Sequence, residues 1–161
     1  MRGYIDIETT GFSRKYDELT VIGIGIETKS AVKVVQLYDD TLTKRNMLSA
    51  LKHVTELYSY NGARFDLPFI REKLGIDLTR SYPHNDLMFT CWKNNLKGGL
   101  KAVETQLGIT RKLKDVDGYM AVQLYWDYVN NFNRAALATL LEYNKEDVFN
   151  LSILRRFLAC R

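Results

Sequence analysis

Asp6 and Glu8 stand two residues apart in Tyr4-Ile5-Asp6-Ile7-Glu8-Thr9-Thr10-Gly11, a run of apolar and β-branched residues. Alternate side chains of a strand share a face, so both carboxylates point one way and Ile5 and Ile7 the other. Two like charges about 4 Å apart repel by roughly 4 kcal/mol at an effective dielectric near 20, so without a cation one of them tends to hold a proton. A solvated acidic strand face is one account of the pair. A metal site at a strand end is the other, and the small-residue turn that follows, with two later acidic motifs, favours it.

The first of these motifs is Asn61-Gly62-Ala63-Arg64-Phe65-Asp66, whose carboxylate falls just past an expected strand end, where open sheets present their ligand crevice. Asp66 also suits a helix N-cap, and a cap can be a ligand. The second is Tyr143-Asn144-Lys145-Glu146-Asp147, which puts a phenol and a carboxylate on one helical face. Leu140, Leu141, Val148 and Leu151 supply the apolar stripe that pins that helix to a sheet. Oxygen ligands of this kind favour Mg²⁺ or Mn²⁺. Cys91, Cys160, His53 and His84 are scattered and offer no Cys/His metal spacing, so the thiols are expected to be reduced and structural.

Elements that would position these groups can be read in order. Residues 2–8, Leu19–Ile26 and Ala31–Tyr38 have strand composition and short connections, which predicts an antiparallel meander. Gly23-Ile24-Gly25 lies inside a strand pattern and lacks a third glycine, so it is no dinucleotide fingerprint. Helical spacing runs from Thr41 to about Thr55, with Thr41 or Thr43 as cap, before a short strand at Glu56–Tyr60. A helix starting near Asp66, with Pro68 in its first turn, completes a crossover and makes the sheet mixed. Tyr82–Asn85 reads as a fifth strand, with Asp86 beginning a helix through Leu87, Met88 and Trp92. Further helices are expected at Leu100–Gly108, Tyr119–Val129 and Arg134–Ala159, with a charged loop at Arg111–Asp117.

With 161 residues and 46% hydrophobic content, residues 1–161 are expected to form one domain with its own core. No apolar run approaches the ~20 residues that span a bilayer, and no leader pattern precedes the first strand, so the cytoplasm is the expected compartment. The net charge of +4 understates the basic surface. Setting aside four metal-binding carboxylates leaves 23 basic against 15 acidic residues, a balance suited to handling phosphate.

In this order, the three motifs resemble those of the DEDD superfamily of 3′-to-5′ exonucleases, in its tyrosine-bearing branch, on a ribonuclease H-like α/β fold. Asp6 and Glu8 match the first motif, Asn61 to Asp66 the second, and Tyr143 with Asp147 the third. Asn61 to Phe69 is especially similar to the proofreading domains of family-B DNA polymerases. Asp86-Leu87-Met88 and Gly99 to Gly108 resemble stretches between the later motifs, so the likeness spans nearly the whole chain. The histidine of the sister branch would fall at Glu142, which selects the tyrosine branch.

The resemblance implies a central mixed five-stranded sheet flanked by helices and a two-metal hydrolysis of phosphodiester bonds at a 3′ end, DNA and single strands favoured. Asp6 would bridge two Mg²⁺ or Mn²⁺ ions, Glu8 and Asp147 would complete one site, and Asp66 would support the other. Tyr143 would orient the attacking water, and nucleoside 5′-monophosphates would be released. Thr9, Thr10, Gly11 and Phe12 would hold the terminal nucleotide, Phe65 would offer a second stacking surface and Asn61 would position the strand. Lys93, Lys97, Lys101, Arg111, Lys112 and Lys114 would form a basic track behind the terminus. Two rival readings share the fold: a hybrid- or junction-cleaving endonuclease, and a non-catalytic nucleic-acid-binding module.

Overall fold

The structure, a computed structural model, describes residues 1–160. Five strands, β1 (Arg2–Thr9), β2 (Leu19–Glu27), β3 (Val32–Tyr38), β4 (Glu56–Ser59) and β5 (His84–Asp86), form one sheet in the order β3-β2-β1-β4-β5. β1 pairs antiparallel with β2, and β2 with β3, which gives the expected meander. β4 runs parallel to β1, and β5 parallel to β4. The sheet is therefore mixed, and the acidic strand lies at its centre.

Six α-helices cover the sheet: α1 (Lys44–Ala50), α2 (Asp66–Leu74), α3 (Leu87–Lys93), α4 (Leu100–Leu107), α5 (Gly118–Asn131) and α6 (Arg134–Ala159). On one face Ile5, Ile7, Ile22 and Ile24 pack with Met47 of α1 and with Phe69 and Ile70 of α2. On the other, Tyr4 packs with Val148, Leu151 and Leu154 of α6 and with Cys91 and Val103. Each such buried side chain contributes about 2 kcal/mol, so the leucines and Val148 hold α6 against β1. Among the described residues no helix is long and apolar enough to cross a membrane.

Gly23 and Gly25 have a packing role. A Cβ on Gly23 would collide with Asn144 Oδ1, and one on Gly25 would meet Val148 Cγ1 at 2.8 Å. The missing side chains let α6 lie close over β2, next to Asp6, which is the register partner of Gly23.

Several boundaries differ from expectation. α1 is shorter than the 41–55 pattern: Thr43 caps it by accepting from the Asn46 amide, while Thr41 belongs to a 3-10 turn. The chain then leaves the helix so that the Thr55 amide can reach the Met1 carbonyl. Asp66 does not cap α2; Phe65 occupies that position without a side-chain bond, and Asp66 is the first helical residue. β5 is shifted to His84–Asp86, and Asp86 caps α3 as expected through the Met88 amide. Arg111–Asp117 contains no helix or strand, but Arg111 and Val116 are buried within it.

Candidate active site

At the C-terminal half of β1, Asp6 and Glu8 face α6, and α6 brings Asp147 above them. One oxygen from each of these three carboxylates lies within 4.8 Å of the others. Asn144 fixes the register between helix and strand, donating Nδ2 to Asp6 Oδ2 at 3.0 Å and to the Asp6 carbonyl at 3.2 Å. Gln36 on β3 in turn donates to Asn144 Oδ1 at 2.9 Å and to the Leu141 carbonyl. Neither amide carried a motif signal, although Asn144 lies next to Tyr143 and three residues before Asp147.

Asp66 stands slightly apart. The β1–β4 ladder ends at Tyr4 and Tyr58, so β4 no longer supplies a partner where the chains part. Asp66 Oδ1 accepts the Ile7 amide at 3.1 Å, which anchors the start of α2 to β1. Asp86 holds the preceding loop through the amides of Asn61 (2.8 Å) and Ala63 (3.0 Å).

The eleven residues expected to bind metal, act in catalysis or hold the terminal nucleotide all border one cleft of about 480 Å³: Asp6, Glu8, Thr9, Thr10, Gly11, Phe12, Asn61, Phe65, Asp66, Tyr143 and Asp147. Tyr60, Tyr119 and Val122 also line it and were missed, because aromatic and aliphatic residues on helical or strand patterns read as core. The Thr9–Phe12 turn is held by Thr9 Oγ1 donating to the Gly11 carbonyl (2.7 Å) and by Thr10 pairing with Glu18 across the loop. Phe12 is 91% exposed. Its ring meets Phe65 edge-on at 6.1 Å between centroids, so the two rings form one aromatic patch bordering the cleft.

Arg111 is the largest departure from expectation. Instead of joining a surface track, its side chain is buried, forks onto Glu104 through Nε and Nη2, and donates to Asp147 Oδ1. Asn150 completes Glu104 with a 3.0 Å bond. Lys101 also turns inward, donating Nζ to the Val116 carbonyl and lying 5.1 Å from the Tyr143 ring centroid. Lys93, Lys97, Lys112 and Lys114 remain exposed. No spacing rule points from a loop arginine to a carboxylate on a helix 36 residues later.

The electrostatics follow from burial of like charges. Burial raises the Asp6 and Glu8 carboxyls well above their ordinary values, with Asp147 adding to both. Burial pushes Asp66 up to about 7, against the opposing bond from Ile7. It pushes Asp147 up to about 6, against Arg111, which lowers it. Tyr143, buried beside Asp147, Glu8 and Asp6, is held far above the ordinary phenol range and stays a neutral O–H donor.

Such a donor set fits hard divalent cations: several anionic oxygens converge, and Arg111 is the one guanidinium among the described residues that answers them directly. The sign for stability is clear. Below about pH 4 these carboxyls are protonated in both folded and unfolded chains, and their contribution is fully present. As pH rises to about 6 and 7 the unfolded chain ionises more readily, so stability without metal falls. A calorimetric Tm in EDTA is therefore expected to drop from pH 5 to pH 8. At pH 8, Mg²⁺ at 100 times its Kd is expected to stabilise by about 2.7 kcal/mol, or roughly 5–10 °C in Tm. At pH 5 the metal should add little, and a Tm blind to Mg²⁺ at both values would contradict the fit.

A family model described as the RNase_H superfamily matches residues 3–159, and the chain belongs to that superfamily. The chain is 27% identical to Uncharacterized protein YprB of Bacillus subtilis (strain 168), a match that takes in 92% of this chain and 39% of the relative. The chain thus spans well under half the length of that relative. Among solved structures, the family B DNA polymerase of the archaeon Pyrobaculum calidifontis superposes with a TM-score of 0.74 at 15% identity, over 98% of this chain and 24% of the polymerase. Brucella melitensis NrnC superposes with a TM-score of 0.66 at 23% identity, over 99% of this chain and 72% of NrnC. Structures of NrnC with bound Mg²⁺ and with pGG have the same fold.

Proposed function

We propose that this chain is a metal-dependent 3′-to-5′ exonuclease of the tyrosine-bearing DEDD branch, acting on single-stranded 3′ ends, DNA favoured. The observation that carries the reading is the meeting of Asp6, Glu8 and Asp147 oxygens within 4.8 Å, below the buried phenol of Tyr143, in a cleft whose mouth carries Phe12 and Phe65. The NrnC structures with Mg²⁺ and with pGG support a metal and a nucleic-acid ligand at a site on this fold. In this reading residues 1–161 act as one exonuclease domain, in the cytoplasm.

Asp6, Glu8 and Asp147 would hold divalent ions, with Asp66 beside them and two ions per site. When bound, Mg²⁺ or Mn²⁺ supplies Lewis-acid charge for the attacking water and for the leaving oxygen. The protein does the rest by position. Phe12 and Phe65 offer an aromatic surface against which the terminal base stacks, and the Thr9–Gly11 backbone meets its sugar and phosphate. Asn61, in a loop pinned by Asp86, sets the approach of the strand. Tyr143 offers its O–H to the water that attacks phosphorus, the bond from phosphorus to the 3′ oxygen breaks, and a nucleoside 5′-monophosphate leaves behind a strand with a new 3′ hydroxyl. A neutral phenol can orient that water but cannot take its proton, which passes to solvent as the water oxygen bonds to phosphorus, and solvent in turn protonates the departing 3′ oxygen.

Tyr143→Phe removes only this hydroxyl and keeps the packing. It is expected to lower kcat about 10²-fold with little change in KM, measured on a short oligonucleotide, since one positioned hydrogen-bond donor is worth on that order. The reading itself is tested with linear and circular single strands of the same sequence. Mononucleotide release from the linear strand with an intact circle is the expected result, and cutting of the circle would establish an endonuclease instead.

A further inference from the structure

Beside the cleft, the Arg64 guanidinium lies 5.4 Å from the ring centroid of Phe89 and 5.8 Å from that of Trp92. The two rings meet edge-to-face at 5.6 Å. Arg64 is exposed, and among the described residues no carboxylate pairs with it. Trp92 is 44% exposed, and exposed Lys93 follows it. An arginine plane with free donors against an accessible indole offers a π-face for a base and a fork for a phosphate.

The cluster is linked to the cleft by a single carboxylate. Asp86 holds the amides of Asn61 and Ala63, in the loop that runs directly on to Arg64, and its Oδ1 also caps α3 through Met88 at 3.1 Å. Phe89 and Trp92 are on α3. Asn61 and Phe65, which bracket Arg64 in sequence, line the cleft itself.

We propose that Arg64, Phe89 and Trp92 form a second nucleic-acid subsite outside the cleft, holding the strand upstream of its 3′ terminus by base stacking on Trp92 and phosphate pairing with Arg64. The direction of the strand rests on the exonuclease reading above. The charge of the patch and its continuity with the cleft wall select a single-stranded nucleic acid over a protein partner.

The test has two arms. In the first, KM is measured for a dinucleotide and for a ten-nucleotide strand. The ratio of the two values, in favour of the longer strand in the parent, is expected to shrink about tenfold in Trp92→Ala and in Arg64→Ala. In the second, Trp126→Phe leaves Trp92 as the sole tryptophan, and its emission is followed in EDTA so that no strand is consumed. Quenching by the ten-nucleotide strand, weakened about tenfold by Arg64→Ala, is expected. An unmoved KM ratio, or Trp92 emission indifferent to the strand, overturns the subsite. Quenching without cleavage of any strand would keep the subsite and overturn the exonuclease reading alone, and quenching by proteins but not by oligonucleotides would replace the ligand class and overturn the proposal.

Discussion

Asp6→Asn is expected to lower kcat/KM for strand trimming about a thousandfold while raising the Tm of the metal-free protein at pH 8. Lewis-acid stabilisation of a phosphoryl transition state is worth several kcal/mol, and each ~1.4 kcal/mol is a factor of ten in rate. Asp6 shares the close carboxylate cluster with Glu8 and Asp147 and also feels the charge of Asp66, so its loss removes a central oxygen donor of the proposed metal site. Stability moves the other way. The Asp6 carboxyl is driven toward its protonated form by burial and then by Asp147, Glu8 and Asp66, so at pH 8 an uncharged isostere relieves repulsion. The asparagine carbonyl oxygen can still accept from Asn144 Nδ2, as Asp6 Oδ2 does now at 3.0 Å. Steady-state kinetics in Mg²⁺ and scanning calorimetry in EDTA read the two effects separately. A destabilised, fully active variant would contradict both halves.

Arg111→Ala is expected to destabilise the fold by about 3–5 kcal/mol, the usual cost of removing one partner from a buried ion pair. Both Glu104 and Asp147 would be left facing each other inside the protein, with only Asn150 answering Glu104. In a chain of this size that corresponds to a Tm lower by about 6–20 °C. Mg²⁺ should recover part of the loss, because an ion can replace the guanidinium at Asp147 but not at Glu104. Arg111→Lys should fall between parent and alanine, since an ammonium lacks the planar fork that bridges two carboxylates. Urea unfolding with and without Mg²⁺ measures this. A loss below about 1 kcal/mol, the range of solvated surface pairs, would mean that Arg111 does not neutralise the site.

The acidic motifs were legible because each sits on an element whose period fixes its direction. Ile5 and Ile7 alternate with Asp6 and Glu8 on a strand, and Tyr143 and Asp147 share a face with Val148 and Leu151 behind them. The mixed sheet followed from short connections and one crossover, whereas the central place of β1 emerges only from the strand order. What the sequence did not reveal depends on contacts between distant segments. Nothing local distinguishes Arg111 from its exposed neighbours Lys112 and Lys114, because its burial is decided by Glu104 and Asp147 on two other helices. Asp66 reads as a cap from propensity, yet the unpaired Ile7 amide, created where β4 diverges from β1, claims its oxygen. The 41–55 pattern overran α1 because Leu51 and Val54 are apolar core residues whether or not the backbone there is helical.

The most direct measurement is a 5′-labelled single strand incubated with the purified protein and resolved to single nucleotides, in Mg²⁺ and in EDTA, beside Asp6→Ala. The account predicts a ladder that shortens one nucleotide at a time from the 3′ end in Mg²⁺, stops in EDTA and is missing from the variant. Trimming that persists undiminished in purified Asp6→Ala, or a strand left whole by the parent in both Mg²⁺ and Mn²⁺, would contradict it.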